Sequence, residues 1–321
     1  MLSGDVLQDT GEMIRTWALR LYRSAGYVLA AAMLAVPHDA WADAPKQPEH
    51  ITWAVLDLPP VYILADEPSV ENLGEGVSDR ILRMVIQAMP DYEHQIVRMN
   101  LPRALLEMRN GAPLCMMNVQ RSPERDAVSY STPLLMAPSL SIVLRDDVLR
   151  SHPGWRDGVS LHDLIRDRAL HGIYLAGRSF GPALDAIIQS QDNVGLKPNS
   201  GATGANLLKM IAIGRADYSL DYPAMLAYLS RGSDLSRHLV SLPITESPPY
   251  VEGHVLCTRN AWGEAAVRRI DGVLRDLAGT KDYREALYRW LPADELRRDR
   301  KALDRFFDQR ASKLYCSPDC P

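Results

Sequence analysis

Short apolar runs alternate with amphipathic segments along most of this chain, and that alternation limits the fold more than any other feature. HITWAVLDL (50–58) reads as a strand, with PPVYI at its C-terminal end. ILRMVIQAM (81–89) places Ile81, Met84, Val85 and Ala88 at i, i+3, i+4 and i+7, the spacing of one helix face. HQIVRM (94–99) is a second strand. A helix follows from Leu101 to Asn110, with Asn100 as its N-cap and Gly111 as its stop. PLCMMNV (113–119) is a third strand. Strands that alternate with helices in this way form parallel βαβ units.

The second half repeats the theme. ALHGIYL is a strand, ALDAII belongs to a helix, NLLKMIAIG (206–214) is a helix ending at Gly214, and ADYSLDY (216–222) is a strand. ALLEMRNGAPLCMMN and NLLKMIAIGRADYSLD both read as helix, glycine stop, strand, which points to two similar α/β lobes. Between them YSTPLLMAPSLSIVLRDD (130–147) is extended, since Pro133 and Pro138 oppose a helix. PPYVEGHVLCTRN (248–260) is its expected return partner. AAVRRIDGVLRDLAG then forms an amphipathic helix with Val267, Ile270, Val273, Leu274 and Leu277 on one side. The chain leaves the first lobe, builds the second and comes back. Two crossings of this kind make a hinge, and a ligand then sits between the lobes at the carboxyl ends of the strands.

With 321 residues, 46% of them apolar and 24% charged, the chain is long enough for two globular domains. The net charge of −4 gives no general attraction to a nucleic acid backbone. The Arg-rich ELRRDRKALDRFFDQR is interleaved with acids and reads as a solvated helix face. At the N-terminus, Arg15, Arg20 and Arg23 precede the apolar run AGYVLAAAMLAV (25–36), and Ala40 and Ala42 stand as A-x-A. This is the pattern of a secretory signal peptide, 1–42, and the run is too short to span a bilayer. Asp5, Asp9 and Glu12 are unusual in such a leader, and Met13 is a second candidate start. Export permits disulfides. CSPDC places Cys316 and Cys320 to close a small loop, leaving Cys115 and Cys257 as a second bridge or two buried thiols; three full pairings are open. The cysteines make poor metal ligands, and neither a P-loop nor H-E-x-x-H is present, so no cofactor is expected.

GRSFG (177–181) matches G-x-S-x-G, the nucleophile elbow of α/β-hydrolases, with a strand before it and a helix after it. The elbow also needs a later histidine as base. Only His238 and His254 remain, His254 lies in the returning strand, and no HGGG-type oxyanion segment lies upstream. Ser179 is therefore expected to donate a hydrogen bond in an anion-binding turn, and the protein is not expected to be an enzyme.

The motifs resemble, in order, those of the type II periplasmic solute-binding proteins, in the branch that binds polar amino acids for ABC transporters (solute-binding family 3). ITWAVLDLPPVYI is similar to its first strand with a Pro-Pro-aromatic signature, and GEGVSDRILRMV to its Gly-aromatic-x-x-Asp helix opening, with Val77 in place of the aromatic and Asp79 retained. Ser122 to Arg125 resembles its Thr-x-x-Arg, Tyr130 to Leu134 its Phe-Ser-x-Pro-Tyr, and IGRADYSLDYPAM its Gly-Arg-x-Asp-Ala strand. The likeness spans nearly all of residues 50–290.

The resemblance implies a two-lobed α/β fold, each lobe a mostly parallel sheet flanked by helices, joined by a two-strand hinge. Lobe I would comprise 43–137 plus 254–321 and lobe II 138–253. Arg125 would hold a ligand carboxylate through its planar fork, with Arg121 as competitor. Asn118 and Gln120 would complete that site, and Tyr62 would stack on the ligand from the first lobe. Ser179 would face the cleft. The family's amine-binding Asp falls on Tyr222, with Asp221 one residue early, and strand alternation would turn that carboxylate away. The expected partners are a small-molecule ligand and an inner-membrane ABC permease, with no nucleic acid. The expected state is a periplasmic monomer.

Overall fold

The computed structural model describes residues 49–316, except 177, 179, 201–203 and 232–237. The signal peptide expected over 1–42, Ser179 and Cys320 lie outside the described residues.

Two five-stranded sheets organise the chain. In the first, β1 (Glu49–Val55), β2 (Tyr92–Arg98), β3 (Leu114–Val119), β4 (Ser129–Pro138) and β10 (Tyr250–Thr258) take the order β2-β1-β3-β10-β4. In the second, β5 (Ser141–Arg145), β6 (Gly172–Leu175), β7 (Leu196–Asn199), β8 (Tyr218–Asp221) and β9 (Leu239–Pro243) take the order β7-β6-β8-β5-β9. Each sheet has a parallel trio, β2-β1-β3 or β7-β6-β8, built from βαβ units as the sequence implies. The other two pairings of each sheet are antiparallel, so the sheets are mixed. The reason lies in the crossings. β3 and β4 run toward the second lobe and β10 runs back between them.

The chain passes from the first sheet to the second through Ser139 and Leu140, and returns through residues 244–249. On the return, Tyr250 to Gly253 pair with β4, in register from Tyr250 opposite Pro138.

Eleven α-helices flank these sheets among the described residues: α1 (Val77–Gln87), α2 (Leu101–Arg109), α3 (Pro123–Asp126), α4 (Asp146–Ser151), α5 (Leu161–Leu164), α6 (Pro182–Ile188), α7 (Gly204–Ala212), α8 (Pro223–Ser230), α9 (Ala261–Ala278), α10 (Lys281–Tyr288) and α11 (Ala293–Ser312). The Asn100 carboxamide caps α2 by accepting from the Arg103 N–H at 3.0 Å. The matching glycine stops, Gly111 and Gly214, have φ of 84° and 75°, the left-handed conformation that ends a helix at little cost for glycine. The repeated helix-glycine-strand motif is thus the same device used once in each lobe.

Strand alternation divides each core in two. On β3, Cys115 and Met117 face Trp53, Ile81, Leu82 and Ile270, while Leu114 and Met116 face Leu105 and Leu256. In the second lobe Ile142 and Leu144 pack with Leu161 and Leu220, and Val143 with Leu208 and Ile211. Each such buried side chain contributes roughly 1.5–3 kcal/mol. Of the helix face expected on α9, Val267, Ile270, Val273 and Leu274 are buried and Leu277 is partly so.

Cys115 and Cys257 form a disulfide with Cα atoms 4.2 Å apart, directly opposite each other on β3 and β10. Cys316 is disulfide-bonded as well. The Arg-rich C-terminal helix departs from the expected solvated face. α11 buries Leu303, Phe306 and Phe307, and with them Arg310, which is 0% exposed. Its guanidinium pairs with Asp271 at 2.7 Å and donates to the Pro133 carbonyl at 2.8 Å. A buried guanidinium is tolerable because a carboxylate and carbonyls receive its N–H groups. Among the described residues no helix is long and apolar enough to cross a membrane.

Candidate ligand site in the interlobe cleft

Residues at the C-terminal ends of β3 and β8 meet across the gap between the sheets. A cavity of about 160 Å³ lies there, with walls from both lobes. Its polar groups come from the strand ends: Asn118 and Gln120 from β3, Arg178 from the turn after β6, Asp221 and Tyr222 from the end of β8. Its apolar groups come from the loop after β1, the start of α1, the end of β4, and helices α8 and α10 with their flanks.

The loop after β1 is held by Asp79. One oxygen of this buried carboxylate accepts from the Ile63 N–H at 2.7 Å and the Gly76 N–H at 3.0 Å. The N–H groups of Val77 and Ser78, which open α1, donate to the carbonyls of Pro60 and Val61 at 2.9 and 2.8 Å. Pro59, Pro60 and Val61 thereby present themselves to the cavity.

Tyr62 does not. The turn closed by its N–H on the Leu58 carbonyl at 3.0 Å directs its ring into the first core. It is 3% exposed, its hydroxyl has no hydrogen-bond partner among the described residues, and burial pushes its phenol well above the ordinary range. The stacking role expected for Tyr62 is therefore corrected: the ring belongs to the core.

Asn118 sits in the left-handed region, φ 61°, a conformation asparagine tolerates better than most residues. The space for its side chain exists because residue 253 is glycine: a Cβ there would lie 2.0 Å from the Asn118 Oδ1. Gln120 reaches across the gap and donates from Nε2 to the Tyr222 hydroxyl at 3.1 Å. The Arg125 guanidinium donates to the Gln120 main-chain carbonyl and does not itself line the cavity. Among the described residues it has no carboxylate partner. Arg121 is committed elsewhere, to both oxygens of Asp126 at 3.1 and 3.0 Å.

On the second lobe, Asp221 is 3% exposed and lies on the cavity wall, contrary to the expectation that a one-residue offset would turn it away. Alternation governs positions inside a strand. β8 ends at Asp221, and Tyr222 is already the N-cap of α8, so both reach the cleft. The Asp221 Oδ1 accepts from Arg178 Nη1 and Nη2, each at 3.2 Å, and from the Tyr222 N–H at 2.8 Å. Arg178 also stands over the rings of Phe180 and Tyr222 at 5.3 and 5.6 Å. Burial raises the Tyr222 phenol, so it stays protonated at neutral pH.

Arg178 is the residue that sequence reasoning missed. Its signal was available: it lies in the GRSFG turn, one strand from Asp221. The G-x-S-x-G pattern drew attention to Ser179 instead. The anion-binding role expected of this turn is partly taken by the chain itself, since the Phe180 N–H donates to Asp185 at 2.8 Å. Of the two downstream histidines, His238 is exposed and His254 lies within β10. Neither lines the cavity. Burial, with the Arg121 charge adding to it, pulls His254 down to about 4.

Near the cavity the lobes meet again. Arg231, after α8, lies over the Trp290 ring at 3.9 Å and donates to the Arg289 carbonyl, while Tyr228 and Trp290 have ring centroids 5.7 Å apart.

The fold recurs in solved proteins. The chain aligns over 77% of its length with 98% of the probable amino-acid ABC transporter extracellular-binding protein ytmK from Bacillus subtilis, at 13% identity and a TM-score of 0.58. The fold is that of a type II periplasmic binding protein. A putative L-cystine ABC transporter protein from Listeria monocytogenes gives 15% identity and a TM-score of 0.56, covering 77% of this chain and 97% of that one. A histidine kinase sensor domain with similarity to periplasmic binding proteins gives 15% and 0.53, covering 76% and 96%. No family model matches the sequence, and no curated protein matches it.

Proposed function

We propose that the protein is a solute-binding protein that captures a small, carboxylate-bearing ligand between its lobes and presents it to an inner-membrane ABC permease. The observation that carries this reading is the cavity between the ends of β3 and β8, lined by both lobes and bridged by the Gln120–Tyr222 hydrogen bond. Gln120, Asn118, Asp221, Tyr222 and Arg178 form its polar wall, and Arg125 holds the end of β3. Ser179 is a further ligand donor in this reading. The amino-acid and cystine transporter proteins of the same fold support it. Removal of residues 1–42 on export would leave a periplasmic monomer, with a first lobe of 43–137 plus 254–321 and a second of 138–253. The protein performs no chemistry on its ligand.

A thermal-shift screen over amino acids and small carboxylates tests this, because a ligand of the native state raises the melting temperature by mass action. A concentration-dependent rise for members of one chemical class is expected. No rise for any of them contradicts the reading.

A second reading, a ligand-sensing domain with no transporter, is favoured by the histidine kinase sensor domain that shares the fold. Uptake of the identified ligand by cells with and without the gene separates the two: loss of uptake supports transport, and unchanged uptake supports sensing.

A further inference from the structure

An α-amino acid carries two charges, and a cleft that buries it must answer both. The cavity wall answers one. Among the described residues, Asp221 is the sole carboxylate on that wall. It is 3% exposed, and its Oδ1 already accepts from the Arg178 guanidinium and the Tyr222 N–H. Its charge is neutralised inside the protein before any ligand arrives.

An ammonium group placed in the cavity would meet the positive Arg178 with no unpaired carboxylate to balance it. Desolvating a cation without a counter-charge is strongly unfavourable. A carboxylate placed there meets the opposite situation. The side chain of Arg178 lines the cavity and is 17% exposed, against 5% for that of Asp221. Asn118, Gln120 and Tyr222 line the same cavity and add polar groups to its wall. Arg125 stands close enough to favour negative charge at the neighbouring Tyr222. The remaining wall is apolar, with Val61, Val77, Leu135, Met225, Leu287 and Leu291 facing the same space.

We infer that the cleft selects organic acids lacking an ammonium group, a single carboxylate on an apolar body, and that the Arg178–Asp221 pair makes the selection. Arg178 offers the carboxylate its charge, and by occupying Asp221 it removes the group an ammonium would need. This inference rests on the cleft being the ligand site, as proposed above.

Matched pairs that differ only in the amino group provide the test: phenylalanine against 3-phenylpropionate, leucine against 4-methylpentanoate, and glutamine against its deaminated 4-carbamoylbutanoate. Calorimetric titration of the mature protein is expected to favour the deaminated member of a bound pair by at least about tenfold. Arg178→Gln frees the Asp221 carboxylate, so the ratio should shift toward the amino acid, while Arg178→Gln combined with Asp221→Asn should bind both members weakly. The shift in ratio is a readout that a purely structural salt bridge would not produce, and the double variant avoids leaving a buried charge unpaired. Tighter binding of the amino acids by wild type, or an unchanged ratio in Arg178→Gln, overturns the inference and leaves the binding-protein reading standing. If no member of any pair binds, the carboxylate reading of the cleft falls, and the inference with it.

Discussion

The Gln120 carboxamide donates to the Tyr222 hydroxyl at 3.1 Å, tying the end of β3 in one lobe to the start of α8 in the other. A neutral hydrogen bond of this kind contributes about 1 kcal/mol. It forms only when the lobes are together, so it favours the closed arrangement. Tyr222→Phe removes the hydroxyl and keeps the ring beside Arg178. Ligand affinity measured by calorimetry should fall about fivefold, with folding stability changed by less than about 1 kcal/mol. An unchanged affinity would show that the bridge does not contribute to closure.

Arg125 and Arg121 lie four residues apart and are expected to differ sharply. Arg125 supports the Gln120 carbonyl, whereas Arg121 is held by Asp126 away from the cavity wall. Charge-assisted hydrogen bonds contribute roughly 1.5–3 kcal/mol, so Arg125→Ala should weaken ligand binding by about tenfold or more. Arg121→Ala breaks an exposed pair of small worth and should leave affinity within about twofold of wild type. The reverse order, read by the same titration, would show that Arg121 and not Arg125 supports the site.

The two variants show where the sequence was legible. The alternation of strand and helix gave both parallel trios, and Asn100, Gly111 and Gly214 marked real helix ends because a cap or a stop acts through its immediate neighbours. Asn118, Gln120 and Tyr222 could be placed beside the cavity from sequence because strand ends and motif order are local properties. Tyr62 was misplaced because which way a ring turns depends on the loop that Asp79 pins to α1, a contact made sixteen residues away from Ile63. Arg178 was overlooked because its meaning arises only when β6 lies beside β8 and brings it to Asp221, 43 residues on. Arg310 was assigned to solvent for the same reason: its partner Asp271 is 39 residues distant.

The Cys115–Cys257 bond spans 142 residues of sequence and joins the strand before the second lobe to the strand after it. Closing so long a loop restricts the unfolded chain and contributes about 2–5 kcal/mol. Chemical denaturation of wild type and of Cys115→Ala combined with Cys257→Ala, both without reductant, should show that loss while the Cys316 bond stays intact. Equal midpoints for the two proteins would show that the bond adds nothing to stability.

Stability should also depend on pH through Glu295. This α11 carboxyl is 3% exposed beside the crossing segments, and one of its oxygens has no hydrogen-bond partner among the described residues. Burial raises it from 4.5 to about 7; Asp294 and Asp299 add to the rise and Arg298 opposes it. Between these two values the folded protein holds a proton that the unfolded chain has released. Stability therefore falls as pH rises through that window, and the full penalty of about 3 kcal/mol is present above pH 7. Below 4.5 the effect vanishes, since both states are protonated. Glu295→Gln should flatten the profile between pH 5 and 8 and stabilise the protein most at the alkaline end, as read from denaturation midpoints. A profile identical to wild type would exclude Glu295 as its source.

The central claim is that the space between β3 and β8 holds the ligand. The most direct measurement is a crystal structure of the protein grown with a carboxylate that raises its melting temperature. Ligand density is expected between the lobes, with a carboxylate oxygen within hydrogen-bonding distance of Arg178 or Gln120 and its apolar body against Val61, Leu135 and Met225. Density bound elsewhere, with the space between the lobes empty of ligand, would contradict the claim.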